Sequence, residues 1–138
     1  MTTLINGEPG ESISILDRGF QYGDGIFETL AVVNGEPLLW DAHMRRFFRG
    51  AMRLGLRAPA EDLLRRETEQ VCRGAPLGVL KIMLTRGISG RGYAPAPEAA
   101  PTRTVGLLPW PDYPARHRTD GVSVQFCHTL ITRHNILA

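Results

Sequence analysis

The segment Asp17-Arg18-Gly19-Phe20-Gln21-Tyr22-Gly23-Asp24-Gly25-Ile26-Phe27-Glu28-Thr29 constrains the fold of this 138-residue chain more than any other. Three glycines and two aspartates break the backbone, and a β-prone run begins at once. Such a sequence holds a strand end in one shape, beside something the backbone must approach closely. The run from Ile26 to Val33 then meets Asn34-Gly35, a hairpin signal because both positions tolerate positive φ. Residues 36–40 are expected to return as the paired strand.

The flanking pattern completes an α+β domain. Leu4-Ile5-Asn6-Gly7 reads as a short strand into a turn, and Ile13 and Ile15 alternate with Ser12 and Ser14 as in a half-buried strand. Asp41 is a good N-cap for a helix whose apolar stripe is Met44, Phe47, Phe48, Ala51 and Leu54, with Gly55 as its stop. A second helix is expected from Pro59 to Cys72, with Gly74 just past its end. Residues 77–86 read as a buried strand with Lys81 in its middle. Residues 87–101, rich in Gly, Pro and Ala, form a long loop, and 104–108 are a further strand. Three prolines at 109, 111 and 114 forbid helix and central strand there. Val122, Val124 and Phe126 then share one face of a new strand at 121–127, which has no partner left in the chain. The expected fold is a mainly antiparallel sheet carrying two helices. The divisions are a small domain over 1–110, a linker over 111–120, and the start of a second domain over 121–138.

Composition narrows the function. Hydrophobic residues make up 43% of the chain, enough for a packed core. Net charge is only +2 although 15 of the 16 basic residues are arginine, too small an excess for a nucleic-acid-binding domain. Two cysteines, no basic and apolar leader, and no apolar run near ~18 residues point to a cytoplasmic protein with no membrane partner. The four histidines have no metal-ligand spacing.

These residues together resemble fold-type IV pyridoxal-phosphate (PLP) enzymes, the class-IV aminotransferase family. The likeness rests on Leu4 to Gly7, on Asp17 to Thr29, on His43-Met44-Arg45-Arg46-Phe47, on Arg53-Leu54-Gly55-Leu56, and on Gly78 to Lys81 through Thr85-Arg86-Gly87-Ile88-Ser89-Gly90-Arg91-Gly92-Tyr93. The last block, with its Gly-Arg-Gly-Tyr ending, is most similar to the aminodeoxychorismate lyase branch. The resemblance implies the small N-terminal domain of that fold, a PLP cofactor, a small-molecule substrate and a homodimer. It implies a reaction converting 4-amino-4-deoxychorismate to 4-aminobenzoate and pyruvate. A D- or branched-chain amino-acid transaminase, or a small domain without catalysis, are the alternatives.

The resemblance also implies roles for particular side chains. His43-x-x-Arg46 matches a motif whose arginine binds the PLP phosphate, a task suited to a planar guanidinium. Periodicity alone puts Arg46, Arg49 and Arg53 on a solvated helix face. Arg91 matches an arginine that, in relatives of the D-amino-acid type, is donated by the neighbouring subunit to hold a substrate carboxylate, and Tyr93 accompanies it. Otherwise Arg91 is a solvated loop residue. Trp110 is expected to flank the substrate, with a hinge role as the alternative. Phe27 stands where some relatives carry a tyrosine, and it has no hydroxyl to offer. Asp17, Arg18, Asp24 and Glu28 are expected to hold the turn and its neighbours. Lys81 sits mid-strand, unlike the family's Schiff-base lysine. That lysine is expected beyond Ala138, because Asn135-Ile136-Leu137-Ala138 resembles the lead-in to its segment.

Overall fold

The structure, a computed structural model, describes residues 2–128. Six strands form one antiparallel sheet in the order β2-β1-β6-β5-β3-β4. They are β1 (Thr2–Ile5), β2 (Glu8–Pro9), β3 (Gly25–Val33), β4 (Glu36–Pro37), β5 (Leu77–Thr85) and β6 (Thr102–Leu108). Helices α2 (Trp40–Leu54) and α3 (Glu61–Cys72) cover one face, α2 over β3 and α3 over β6 and β1. Short helices α1 (Arg18–Tyr22) and α4 (Arg116–Thr119) complete the chain order.

Period-two alternation decides the two faces. Leu30, Val32, Leu80, Ile82, Leu84, Leu4 and Val105 are buried and meet Met44, Phe47, Ala51, Leu64 and Val71 from the helices. The register puts Phe27 opposite Met83, and Thr29 opposite Lys81, on the face opposite α2 and α3. Among the described residues fifteen make up the buried apolar cluster.

Several expectations are corrected. Residues 11–15 form no strand, and Ile13 and Ile15 are exposed, because β1 already pairs with β2 and β6 and has no free edge. Asp41 does not cap α2: Leu39 is the N-cap residue at φ 56°, and Asp41 lies in the first turn, where its charge still suits the helix dipole. The returning strand after Asn34-Gly35 stops at Pro37. One further backbone bond, Leu38 N donating to Ala31 O at 2.8 Å, follows it, and Leu39 at φ 56° then turns the chain into α2. Residues 121–127 are not a strand, and Val122, Val124 and Phe126 are exposed, since no described strand offers them an edge. The expected linker contains α4. The expected lead-in at 135–138 lies outside the described residues. By contrast Gly55 ends α2 in the left-handed region at φ 61°, and Gly74 follows α3 at φ 73°.

Two ionic clusters tie loops to this frame. Arg103 on β6 grips Glu67 of α3 in a fork of 2.6 and 2.7 Å, with Glu67 only 5% exposed. Asp24, at the entry to β3, accepts from Arg18 at 2.8 Å and from Arg86 at 2.8 and 3.0 Å. Arg86 also donates to the carbonyls of Leu54 and Gly55, so the last turn of α2 hangs on the same carboxylate.

Arg103→Met should lower stability by about 3 kcal/mol, because it leaves a buried carboxylate unpaired. Glu67→Met/Arg103→Met should recover most of that loss, read as urea midpoints at constant m-value. Burial opposes the charge on Asp24, but the Arg86 and Arg18 bonds outweigh it and hold its carboxyl below the ordinary value of 3.8. A depressed folded value means stability present above the unfolded value and lost as pH falls through the folded one. The wild type should therefore lose stability more steeply than Asp24→Asn between about pH 4 and pH 2, measured by urea midpoints across that range.

Candidate functional site

The site is built around a buried charge. Glu28 lies on the helix-covered face of β3, 2% exposed, where Leu30 and Val32 fill the equivalent places further along. A carboxylate there requires hydrogen-bonded partners. Helix periodicity supplies them: His43 and Arg46 stand one turn apart on α2 and reach the same carboxylate. His43 Nδ1 lies 2.6 Å from Oε2, Arg46 Nε donates to Oε1 at 2.8 Å, and Arg46 Nη2 donates to Oε2 at 2.6 Å. Burial works against the Glu28 charge, but the Arg46 and His43 bonds prevail, so its carboxyl lies below the usual range. The same pairing raises Arg46. An ionised carboxylate only accepts, so His43 carries its proton on Nδ1.

This grip leaves Arg46 with a free edge. Its Nε–Nη2 side is spent on Glu28, while both protons of Nη1 and one of Nη2 have no partner among the described residues. The side chain is 60% exposed at the mouth of a cleft of about 460 Å³. Gly25, Ile26, Phe27, Gly50, Arg49 and Arg53 line the rest. A Cβ at Gly50 would make only ordinary contact with Ile26, 3.4 Å away. The outer edge of β3 faces no described strand over most of its length, since β4 pairs only with Val32 and Val33. Backbone amides and three guanidinium groups thus border one opening. The backbone amides and the outer fork of Arg46 would suit the phosphate of a PLP cofactor.

The opposite face of β3 carries a second group of residues. Phe27 is 63% exposed, and Lys81 Nζ stands 5.2 Å from its ring centroid. Thr29 is directly opposite Lys81, which in turn faces Gly106 and, across that bare backbone, Thr3. Among the described residues Lys81 has no carboxylate partner, and Thr3 Oγ1 is buried without a hydrogen bond. Sequence reasoning weighed Lys81 only as a cofactor-bound lysine and missed this placement. The alternation Val79-Leu80-Lys81-Ile82-Met83 was the available signal, because it sets Lys81 opposite to the core-facing residues.

The other expected site residues are more scattered. Arg91 and Tyr93 are exposed in the 86–101 connection, and Tyr93 packs its ring 5.7 Å from that of Tyr22. Trp110 stands just past β6, 39% exposed, and does not line the Arg46 cleft. Of the four, only Arg46 borders that cleft. Cys72 is no candidate nucleophile: burial, helped by the Glu36 charge, pushes its thiol up to about 11. Among the described residues no cluster of His, Cys, Asp and Glu could hold a metal, and no helix is long and apolar enough to cross a membrane.

Comparison with known proteins agrees with this frame. The family model for amino-transferase class IV matches residues 25–135. The aminodeoxychorismate lyase of Vibrio harveyi is 31% identical over 137 residues, which are 97% of this chain and 49% of that protein. A D-alanine aminotransferase of Staphylococcus aureus is 35% identical over 87% of this chain and 45% of its own length. The crystal structure of 4-amino-4-deoxychorismate lyase from Pseudomonas aeruginosa superposes with a TM-score of 0.78 at 42% identity, covering 87% of this chain and 44% of that one. A hypothetical aminotransferase from Mycobacterium tuberculosis in PLP-bound form gives 0.69 at 28% identity, over 80% and 40%. The chain spans about half the length of the curated relatives it matches. With the six-stranded α+β sheet, the matched residues and these likenesses together, the chain belongs to the amino-transferase class IV family of fold-type IV enzymes.

Proposed function

We propose that the full-length protein is an aminodeoxychorismate lyase, a PLP-dependent enzyme that converts 4-amino-4-deoxychorismate to 4-aminobenzoate and pyruvate for folate synthesis. The observation that carries the reading is Lys81. A lysine without a carboxylate partner, mid-sheet and beside an exposed phenyl ring, suits an anionic and partly apolar substrate. The proposed substrate carries two carboxylates on an unsaturated ring, and Lys81 and Arg91 offer two cations. Phe27, without a hydroxyl, offers the substrate ring a packing surface and no hydrogen bond.

In this reading Glu28 and His43 hold Arg46, and the outer fork of Arg46 takes the cofactor phosphate. Arg49 adds positive charge at the mouth of the cleft, which favours an anion's entry. When bound, PLP supplies an electron sink for charge that develops beside the substrate nitrogen. The reading includes a cytoplasmic homodimer. The transaminase alternative keeps its support from the D-alanine aminotransferase likeness and predicts a different product.

Incubated with 4-amino-4-deoxychorismate and PLP, the full-length protein should release 4-aminobenzoate and pyruvate in equal amounts, read by fluorescence and a coupled pyruvate assay. Turnover of D-alanine with a 2-oxo acid, and no 4-aminobenzoate, would replace the lyase by the transaminase. Lys81→Met keeps the packing against Phe27 and removes the charge. It should raise KM for the dicarboxylate about 10- to 100-fold, the worth of one charge-assisted hydrogen bond. Unchanged KM would remove Lys81 from substrate binding.

A further inference from the structure

We propose that Arg18 is a positioning residue for substrate recognition, fixing the segment of the long loop that presents Arg91. Arg18 is nearly buried, 3% exposed, yet it belongs to no apolar cluster. Its donors are divided among three places. Nε donates to Asp24 at 2.8 Å, Nη1 to the carbonyl of Gly92 at 2.9 Å, and Nη2 to the carbonyl of Tyr93 at 2.7 Å. Those are the carbonyls of the two residues that follow Arg91. The guanidinium also stands 4.7 Å from the Tyr22 ring centroid, and the Tyr22 ring meets that of Tyr93.

The local conformation explains why an arginine is needed. Gly92 has φ 106°, so the chain turns there, and its carbonyl and the next have no strand to pair with. A planar fork can hold two neighbouring carbonyls and still reach Asp24, whereas an ammonium is a single compact charge. Asp24 is fixed in turn by Arg86, so the clasp is anchored to the sheet. At its base the loop is pinned by Arg18 N donating to Gly87 O at 2.9 Å. Farther along, Arg57 donates to Ala99 O at 2.6 Å. Gly87 admits no side chain, since a Cβ would fall 1.7 Å from Ala100 O. Between these anchors Arg91 is exposed and has no hydrogen-bond or ion-pair partner among the described residues. The clasp therefore fixes the backbone and leaves the Arg91 guanidinium available. The clasp stands independently, while the substrate role of Arg91 rests on the reading above.

Trypsin reads the clasp directly, because the Arg91–Gly92 bond lies beside the held carbonyls. In the full-length protein, Arg18→Lys should raise the initial rate of cleavage after Arg91 about tenfold, followed by mass spectrometry, with cleavage after surface arginines of α3 unchanged. Tyr22→Leu, at a partly exposed ring, should raise it a few-fold and serves if Arg18→Lys fails to fold. Arg18→Lys should also raise KM for 4-amino-4-deoxychorismate about tenfold with kcat less affected, and adding Arg91→Met should raise KM little further. Cleavage within twofold of wild type in both variants would overturn the clasp. Faster cleavage with unchanged KM would overturn its role in recognition. If the wild type turns over only D-alanine and a 2-oxo acid, the lyase reading fails, and the same KM comparison on that carboxylate decides the proposal.

Discussion

Everything at this site depends on a carboxylate placed where a core residue would normally be. Glu28 points into the helix-covered face of β3, and an unpaired charge there would cost several kcal/mol. The cost is avoided only when α2 sets both His43 and Arg46 over it. The apolar stripe of α2 lets the helix slide or rotate with modest loss. The ionic fork does not, because its geometry is fixed within tenths of an ångström. Burial of Met44 and Phe47 therefore brings α2 to the sheet, and Glu28 sets where along it the helix stops.

The same arrangement explains why Arg46 is both bound and available. A guanidinium has two usable forks, and Glu28 occupies one. The carboxylate lowers the net charge at the cleft while restricting the side chain, so less conformational freedom is lost when the second fork is used. Arg49 adds positive charge at the mouth. The Arg18–Asp24–Arg86 cluster repeats this design on loops: one acidic group holds two arginines whose other donors secure carbonyls in distant parts of the chain.

Much of the fold was legible from the residues. The alternation in 77–85, the Asn34-Gly35 turn, the stripe of α2 and its stop at Gly55 all follow from local geometry, and each element formed near its expected bounds. The failures share a cause. Ser12 to Ile15 and the 121–127 segment alternate as strands do, but a strand exists only against a partner edge, and pattern does not report where edges are. Helix α1 was missed because Arg18 to Tyr22 is short and flanked by glycine; Asp17 starts it by accepting from Gly19 N at 2.8 Å.

By itself the sequence determined the periodicities, the turns, the motif His43-x-x-Arg46 and the family resemblance, because each depends on residues close along the chain. Tertiary structure alone decided that Glu28 would hold Arg46, fifteen or more residues away, and that Arg18 would reach Gly92 and Tyr93 across more than seventy. It also decided that Lys81 would stand beside Phe27 on the face opposite α2 and α3. The opening segment 17–29 shows the division well. Its glycines and aspartates announced a fixed strand entry, since backbone freedom and capping are local properties. What that entry holds in place is a loop and a helix end, which only long-range pairing could reveal.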